Sequence, residues 1–430
     1  REGTMQSATL SAPAALRGDT ATSAPPWILP AEHFAAALAF FVIGAVALIA
    51  LAPQLAYGVF FAPQVVAGVH LFTLGWIVMS IFGALCQFLP VAVGRRLRWE
   101  PLAHVTFALL ATGASGFILG LVTAHREVII AGACTLSAAF VLFAANLGAT
   151  LASVRERSLT WWALAGATVF LVVTPLYGVM LQLGLERALG VHRFHVVAVH
   201  AHVAIVGVVL MTIVGVAHHL IPMFLLSHGA DERPAWVAIA LLFAGAVLLA
   251  LPIGGMTLDA VGGVLAAGGV VAFAVQAVLF FRARKRRALD AGMRLAGAGL
   301  LGLLGATAVA PFAFSRGLAD MHLLVTYFWM VLGGISLFVA GHYYKIIPFL
   351  VWYHRFGPLV GTRKVPKVAE LFSQRAATLN ALLLVAGYAG VATALFVHSV
   401  ALARAAGLVF AVGVVIEVGA MVRIARRRPA

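Results

Sequence analysis

The chain of 430 residues is 63% hydrophobic and only 10% charged, with a mean hydropathy of +1.05 and a formal net charge of +15. Such a composition excludes a soluble globular domain, and the apolar runs are continuous, which excludes a transmembrane β-barrel with its alternating strands. The basic residues fall in short segments between apolar runs, so a nucleic-acid partner is not needed to explain them.

Residues 1–30 are rich in Ala, Ser, Thr and Pro and read as a flexible tail, without the basic-then-apolar pattern of a signal peptide. The rest, 31–430, reads as a single all-α integral membrane domain of about twelve transmembrane helices. The apolar runs place the spans at 33–52, 63–90, 101–123, 128–152, 160–184, 193–224, 234–252, 258–282, 293–314, 320–351, 375–397 and 400–424. Loops after even-numbered spans hold Arg95, Arg96, Arg98, Arg155, Arg157, Arg233, the basic run Arg282–Arg287, Arg294, Arg355, Arg363, Lys364, Lys367 and Arg375. The C-terminus adds Arg423, Arg426, Arg427 and Arg428. The other side holds only Arg126, Arg187, Arg193 and Arg316. The positive-inside rule then puts both termini in the cytoplasm of a protein spanning a bacterial cytoplasmic membrane, in contact with its lipid. Cys86 and Cys134 lie in apolar runs and read as core residues rather than a disulfide framework.

Three segments repeat. The second span ends Phe-Gly-Ala-Leu-Cys-Gln-Phe-Leu-Pro90, the sixth Val-Gly-Val-Ala-His-His-Leu-Ile-Pro222, and the tenth Ala-Gly-His-Tyr-Tyr-Lys-Ile-Ile-Pro348. Gly83, Gly215 and Gly341 stand seven residues before their prolines, and Gly75, Gly207 and Gly333 fifteen before. The prolines are 132 and 126 residues apart, so the chain reads as three four-helix units, roughly 31–152, 160–282 and 293–424. Small residues and prolines suit helix packing and helix ends in any membrane protein. Packing alone does not account for their shared spacing, nor for His70 and His202, each twenty residues before its proline, where the third unit has Phe328.

The sixth span carries His200 and His202, two apart and so pointing roughly 200° away from each other on a helix. Ionisable side chains in hydrocarbon are costly and mark functional sites. His70, His195, His200, His202 and His322 collect in the outer half. His33, His104, His218, His219 and His342 belong to the inner half, because His219 lies seventeen residues past His202, about 25 Å deeper. Glu417 and Asn146 are isolated polar groups inside spans, each a candidate for a proton path.

The His200-Ala-His202 motif followed by Pro222, together with Val69-His70-Leu-Phe-Thr-Leu-Gly-Trp76 through Pro90 and the twelve-span, threefold plan, resembles subunit I of the heme-copper oxidase and nitric oxide reductase superfamily. The resemblance implies that His70 and His202 are the axial pair of a low-spin, non-covalent b-type heme, and that His200 ligates a second heme or a copper ion. His322 is a further candidate metal ligand. Arg193, with His192, Arg126 and Arg316, is a candidate contact for heme propionates. The family's copper-site histidine motifs are not found: the seventh span has no histidine. The implied function is a membrane redox protein that takes electrons from a c-type cytochrome, a cupredoxin or quinol, alongside other membrane subunits, and passes them to a second centre for oxygen or nitric oxide reduction. A secondary transporter and a non-catalytic heme-bearing subunit remain as alternatives.

Overall fold

The computed structural model describes residues 26–251, 255–286 and 288–429; most of the expected tail, residues 1–25, and Arg287 of the basic run lie outside them. Among the described residues there is no strand, only an isolated bridge between Ser227 and Arg284. The long helices are α1 Ile28–Ala50, α2 Pro63–Val93, α3 Glu100–Thr123, α4 Arg126–Ala152, α5 Leu159–Leu183, α6 Arg193–Leu225, α7 Arg233–Leu249, α8 Gly255–Arg282, α9 Ala291–Arg316, α10 Met321–Val351, α11 Gln374–Phe396 and α12 Val400–Arg426. Eleven are long and apolar enough to cross a membrane; α7, at the expected seventh span, has 17 residues. The first helix starts at Ile28, inside the expected tail.

Local chemistry sets the helix ends. Ser158, Asp290, Asp320, Ser373 and Ser399 accept hydrogen bonds from free backbone N–H groups at the starts of α5, α9, α10, α11 and α12. Gly94 and Gly184 close α2 and α5 in the left-handed conformation, at φ 67° and 70°. The repeated prolines do not end their helices. Pro90, Pro222 and Pro348 lie inside, three residues before the last turn closes.

Position in the bundle follows burial. The apolar windows of α2, α6 and α10 are 67%, 61% and 78% buried, against 33–44% for the other eight candidate spans. These three helices therefore form the centre. Around them, α3 packs on α4, α7 on α8, α9 on α10 and α11 on α12, while α12 also packs on α1 and closes the ring. The outward faces present side chains such as Leu176, Val264, Leu301 and Phe396, as lipid contact requires.

Two of the central helices share a winding defect. Immediately after His70, residues Leu71–Val78 are wound as π-helix, and immediately after His202 so are Val203–Leu210. π-Helical turns are rare and concentrate at functional sites. In each, an aromatic ring from the preceding helix presses on the repeated glycine: a Cβ on Gly75 would lie 2.4 Å from Phe40, and one on Gly207 2.4 Å from Phe170.

Asn146 has a structural task. Its amide brackets the backbone of a single residue, Trp99, in the α2–α3 loop, accepting from Trp99 N at 3.0 Å and donating to Trp99 O at 2.9 Å. Cys86 is buried and Cys134 exposed, both free.

Candidate functional site

His70 and His200 each stand seven residues in from the start of their helices, about 10 Å along the axis, so they reach the same depth. Their rings face one another with centroids 6.4 Å apart and planes 25° from parallel. His70 Nδ1 lies 2.7 Å from the carbonyl of Val66, and His200 Nδ1 3.1 Å from the carbonyl of Thr174 on α5. A carbonyl only accepts, so each Nδ1 carries the hydrogen, and each Nε2 of the neutral ring keeps its lone pair free. Phe117 meets the His70 ring edge-on at 5.0 Å and fixes its rotation. Behind His200 is Gly178, where a Cβ would come to 3.3 Å from Cε1 of the imidazole.

Both histidines line a cavity of about 490 Å³ between α2, α4, α5, α6 and α10. Its wall is apolar, with Leu136, Phe140, Ile205, Phe328 and Leu332 among the contributors, and its polar edge is Gln182, His192 and Arg193. This size is that of a cofactor site. The two imidazoles are spaced so that they could hold one metal ion between them. Nitrogens about 2 Å from a metal, with ring centres about 1 Å farther on, put the centroids about 6 Å apart, and the observed 6.4 Å matches.

The expected pairing of His70 with His202 is not what the structure brings together. His202 turns toward α9 and α10, where its ring lies against Phe314, Tyr327 and Phe328. Its Nδ1 donates to Ala198 O at 2.7 Å, and its Nε2 accepts from the Tyr327 hydroxyl at 3.3 Å. Both ring nitrogens are thus engaged inside the bundle. The two-residue separation does point the histidines opposite ways; it is His200, not His202, that looks at α2.

Arg193 stands in the cavity wall. Its Nη1 donates to Leu181 O at 3.0 Å and to Glu186 Oε1 at 2.6 Å, and the Glu186 side chain is fully buried. Burial pushes the Glu186 carboxyl up, but the hydrogen bond and charge of Arg193 more than offset this, so it titrates below its ordinary range. A depressed carboxyl stabilises the fold above that range and stops doing so as pH falls through it. Glu186→Gln should therefore melt well below the wild type at neutral pH, with the gap closing toward about pH 4; a gap independent of pH would contradict the assignment.

The other expected groups do not converge. His322 stacks on His398, centroids 3.7 Å apart, at the start of α10, and His195 pairs with Asp259 at 3.2 Å. Among the described residues no group of three or more His, Cys, Asp or Glu side chains gathers as a metal would need. On the inner side His104 binds Glu32 at 2.8 Å, His218 binds Glu232 at 3.5 Å, His33 and His342 bond carbonyls of their own helices, and His219 rests against Phe88. His33 Nδ1 also lies 3.9 Å from Glu32, the carboxylate that binds His104, so these two share a partner, whereas His218, His219 and His342 make contacts of their own.

Sequence reasoning had no signal for the Thr174 carbonyl or for Tyr327, since both are contacts across helices. No protein-family model and no curated protein sequence matches this chain.

Proposed function

We propose that this protein is a membrane electron carrier in which His70 and His200 are the axial ligands of one non-covalent b-type heme. The observation that carries the reading is the adjacent imidazole pair, with each Nδ1 tied to a carbonyl and both rings lining a cavity of cofactor size. Bound there, a heme supplies reversible one-electron chemistry at a potential set by its ligands and burial. The chain's own residues do the rest. Val66 and Thr174 hold the imidazole tautomers, which keeps both ligands basic and oriented. The apolar wall keeps water out, and Arg193, with Gln182 and His192, offers donors to propionate carboxylates at the polar edge.

The wider setting belongs to the same proposal: an oxidase-like bundle of twelve spans in three four-helix arcs, with both termini cytoplasmic, in a bacterial cytoplasmic membrane. Several observations support it. Counting α7 as a span keeps every arginine-rich loop on one side, whereas eleven spans would put the later basic loops opposite the earlier ones. Its 17 residues reach about 25 Å, close to the hydrocarbon thickness. The matched π-segments and glycine–phenylalanine contacts of α2 and α6 support the arcs. In this orientation the cavity lies near the outer face, within reach of a cytochrome, cupredoxin or quinol donor, with further membrane subunits as acceptors.

Optical spectra of protein purified from its native membrane, oxidised and dithionite-reduced, with iron and copper analysis, test the reading. The expected result is a sharp reduced α-band with one iron per chain. Protein with its native cofactors but no Soret band would sink it.

A further inference from the structure

Glu417 on α12 is fully buried, and no salt bridge among the described residues reaches it. It lies six residues before Arg423, about 9 Å from the basic inner end of its helix. Asn380 of α11 donates through Nδ2 to Glu417 Oε2 at 3.4 Å and to the Tyr344 hydroxyl of α10 at 3.0 Å. That uses both amide hydrogens. Two buried oxygens then have no partner, Glu417 Oε1 and Asn380 Oδ1.

The inventory of donors decides the protonation state. With Glu417 ionised, both remaining atoms are acceptors, and nothing offers a hydrogen to either; a bare carboxylate at this depth is also costly. One proton on Oε1 changes the count. The acid then has an O–H donor, and the amide beside it has a free acceptor, so the two groups can close a cyclic pair. In that pair the amide N–H runs to Oε2 and the acid O–H to Oδ1.

We propose that Glu417 is a protonated carboxylic acid paired with Asn380, and that the pair is a proton-binding site exchanging with the cytoplasmic face through Tyr344. The Tyr344 hydroxyl accepts from Asn380 and keeps its own hydrogen to pass on. Beyond it are the ion pair of Lys345 with Asp290 and, within electrostatic reach, Arg423. Toward the centre, Tyr343 is also within reach of Glu417 and shares a 2.8 Å hydrogen bond with Ser80 of α2. Tyr343, Ser80 and His342 line a cavity of about 70 Å³ between α2, α6 and α10, and His342 Nε2 is buried there without a partner. That is room for about two waters, the next stations for a proton leaving the pair. Among the described residues the polar groups around the site are Asn380, which bonds Glu417, the Tyr343 and Tyr344 phenols, and Arg423, which acts on Tyr344.

This site is separate from the His70–His200 cavity, and its test needs no heme. Infrared spectra of the full chain in lipid, recorded in H2O and D2O at neutral pH, should show the carbonyl stretch of a protonated carboxylic acid that moves on deuteration. Glu417→Gln, which keeps the side-chain shape and can still pair with an amide, should remove the band. Asn380→Leu should shift it, and Tyr344→Phe should slow its exchange at least severalfold. No such band, a band that survives Glu417→Gln, or one that never responds to D2O overturns the proposal. So does a band present only without sodium, which would assign the site to a metal cation instead.

Discussion

His200→Ala should empty the protein of heme as completely as His70→Ala, whereas His202→Ala should keep most of it. In the proposed reading each of these two imidazoles would supply one of the two protein bonds to a cofactor that has no covalent tether. The remaining contacts are an apolar wall and a polar edge, so either loss should cut the reduced α-band per chain by tenfold or more. His202 bonds Ala198 and Tyr327 and lines no part of the cavity. Its removal should cost stability, on the order of 1–3 kcal/mol for an abandoned buried donor, with the spectrum otherwise intact. Heme content normalised to folded protein separates the two effects. Loss of the spectrum in His202→Ala, with retention in His200→Ala, would restore the pairing expected from the threefold repeat and overturn the one seen in the structure.

Gly341→Leu should prevent the central bundle from forming. A Cβ at this position would stand 2.4 Å from the Gly292 carbonyl oxygen and 2.6 Å from the Ala296 amide nitrogen, both backbone atoms of α9 that no rotamer change can move. The same crossing continues one layer away, where Gly299 and Gly334 face each other's carbonyls. Helices in lipid associate through such close backbone approach, because no hydrophobic drive separates them from lipid tails. Overpacking in ordinary cores costs about 1–3 kcal/mol; a rigid backbone clash on the most buried helix should exceed that and leave little extractable, monodisperse protein. Gly297→Leu, on the exposed side of α9 with open space around its Cβ, is the control and should be close to neutral. Equal behaviour of the two variants in size-exclusion and thermal-melt assays would show that the α9–α10 crossing is not what fixes the centre.

Much of this architecture is legible from residue order. Run length and arginine placement give the helices to within a few residues, and the repeated Gly-x7-Gly-x6-Pro spacing marks α2, α6 and α10, which turn out to be the buried centre. Periodicity also tells that His200 and His202 look in opposite directions. It cannot tell which of them looks at α2, because that depends on the rotation of α6 about its axis. The rotation is set by contacts across helices: Thr174 on α5, Tyr327 on α10, and Phe170 pressed onto Gly207. The π-segments add to this, since each changes the helical phase after its histidine in a way no apolar pattern reveals. Glu417 and Asn146 looked alike in the sequence, single polar residues in apolar spans. Their partners separate them: Asn146 closes on a loop peptide, whereas Glu417 joins an amide and a phenol inside the bundle.

The most direct test of the central claim is electron paramagnetic resonance of the oxidised, purified wild-type protein at low temperature. Two imidazoles on one heme iron would make it low-spin, and rings 25° from parallel would give a rhombic low-spin ferric signal accounting for one heme per chain. A high-spin signal, reporting an iron with an open axial position, or heme-free protein from native membranes, would contradict the account.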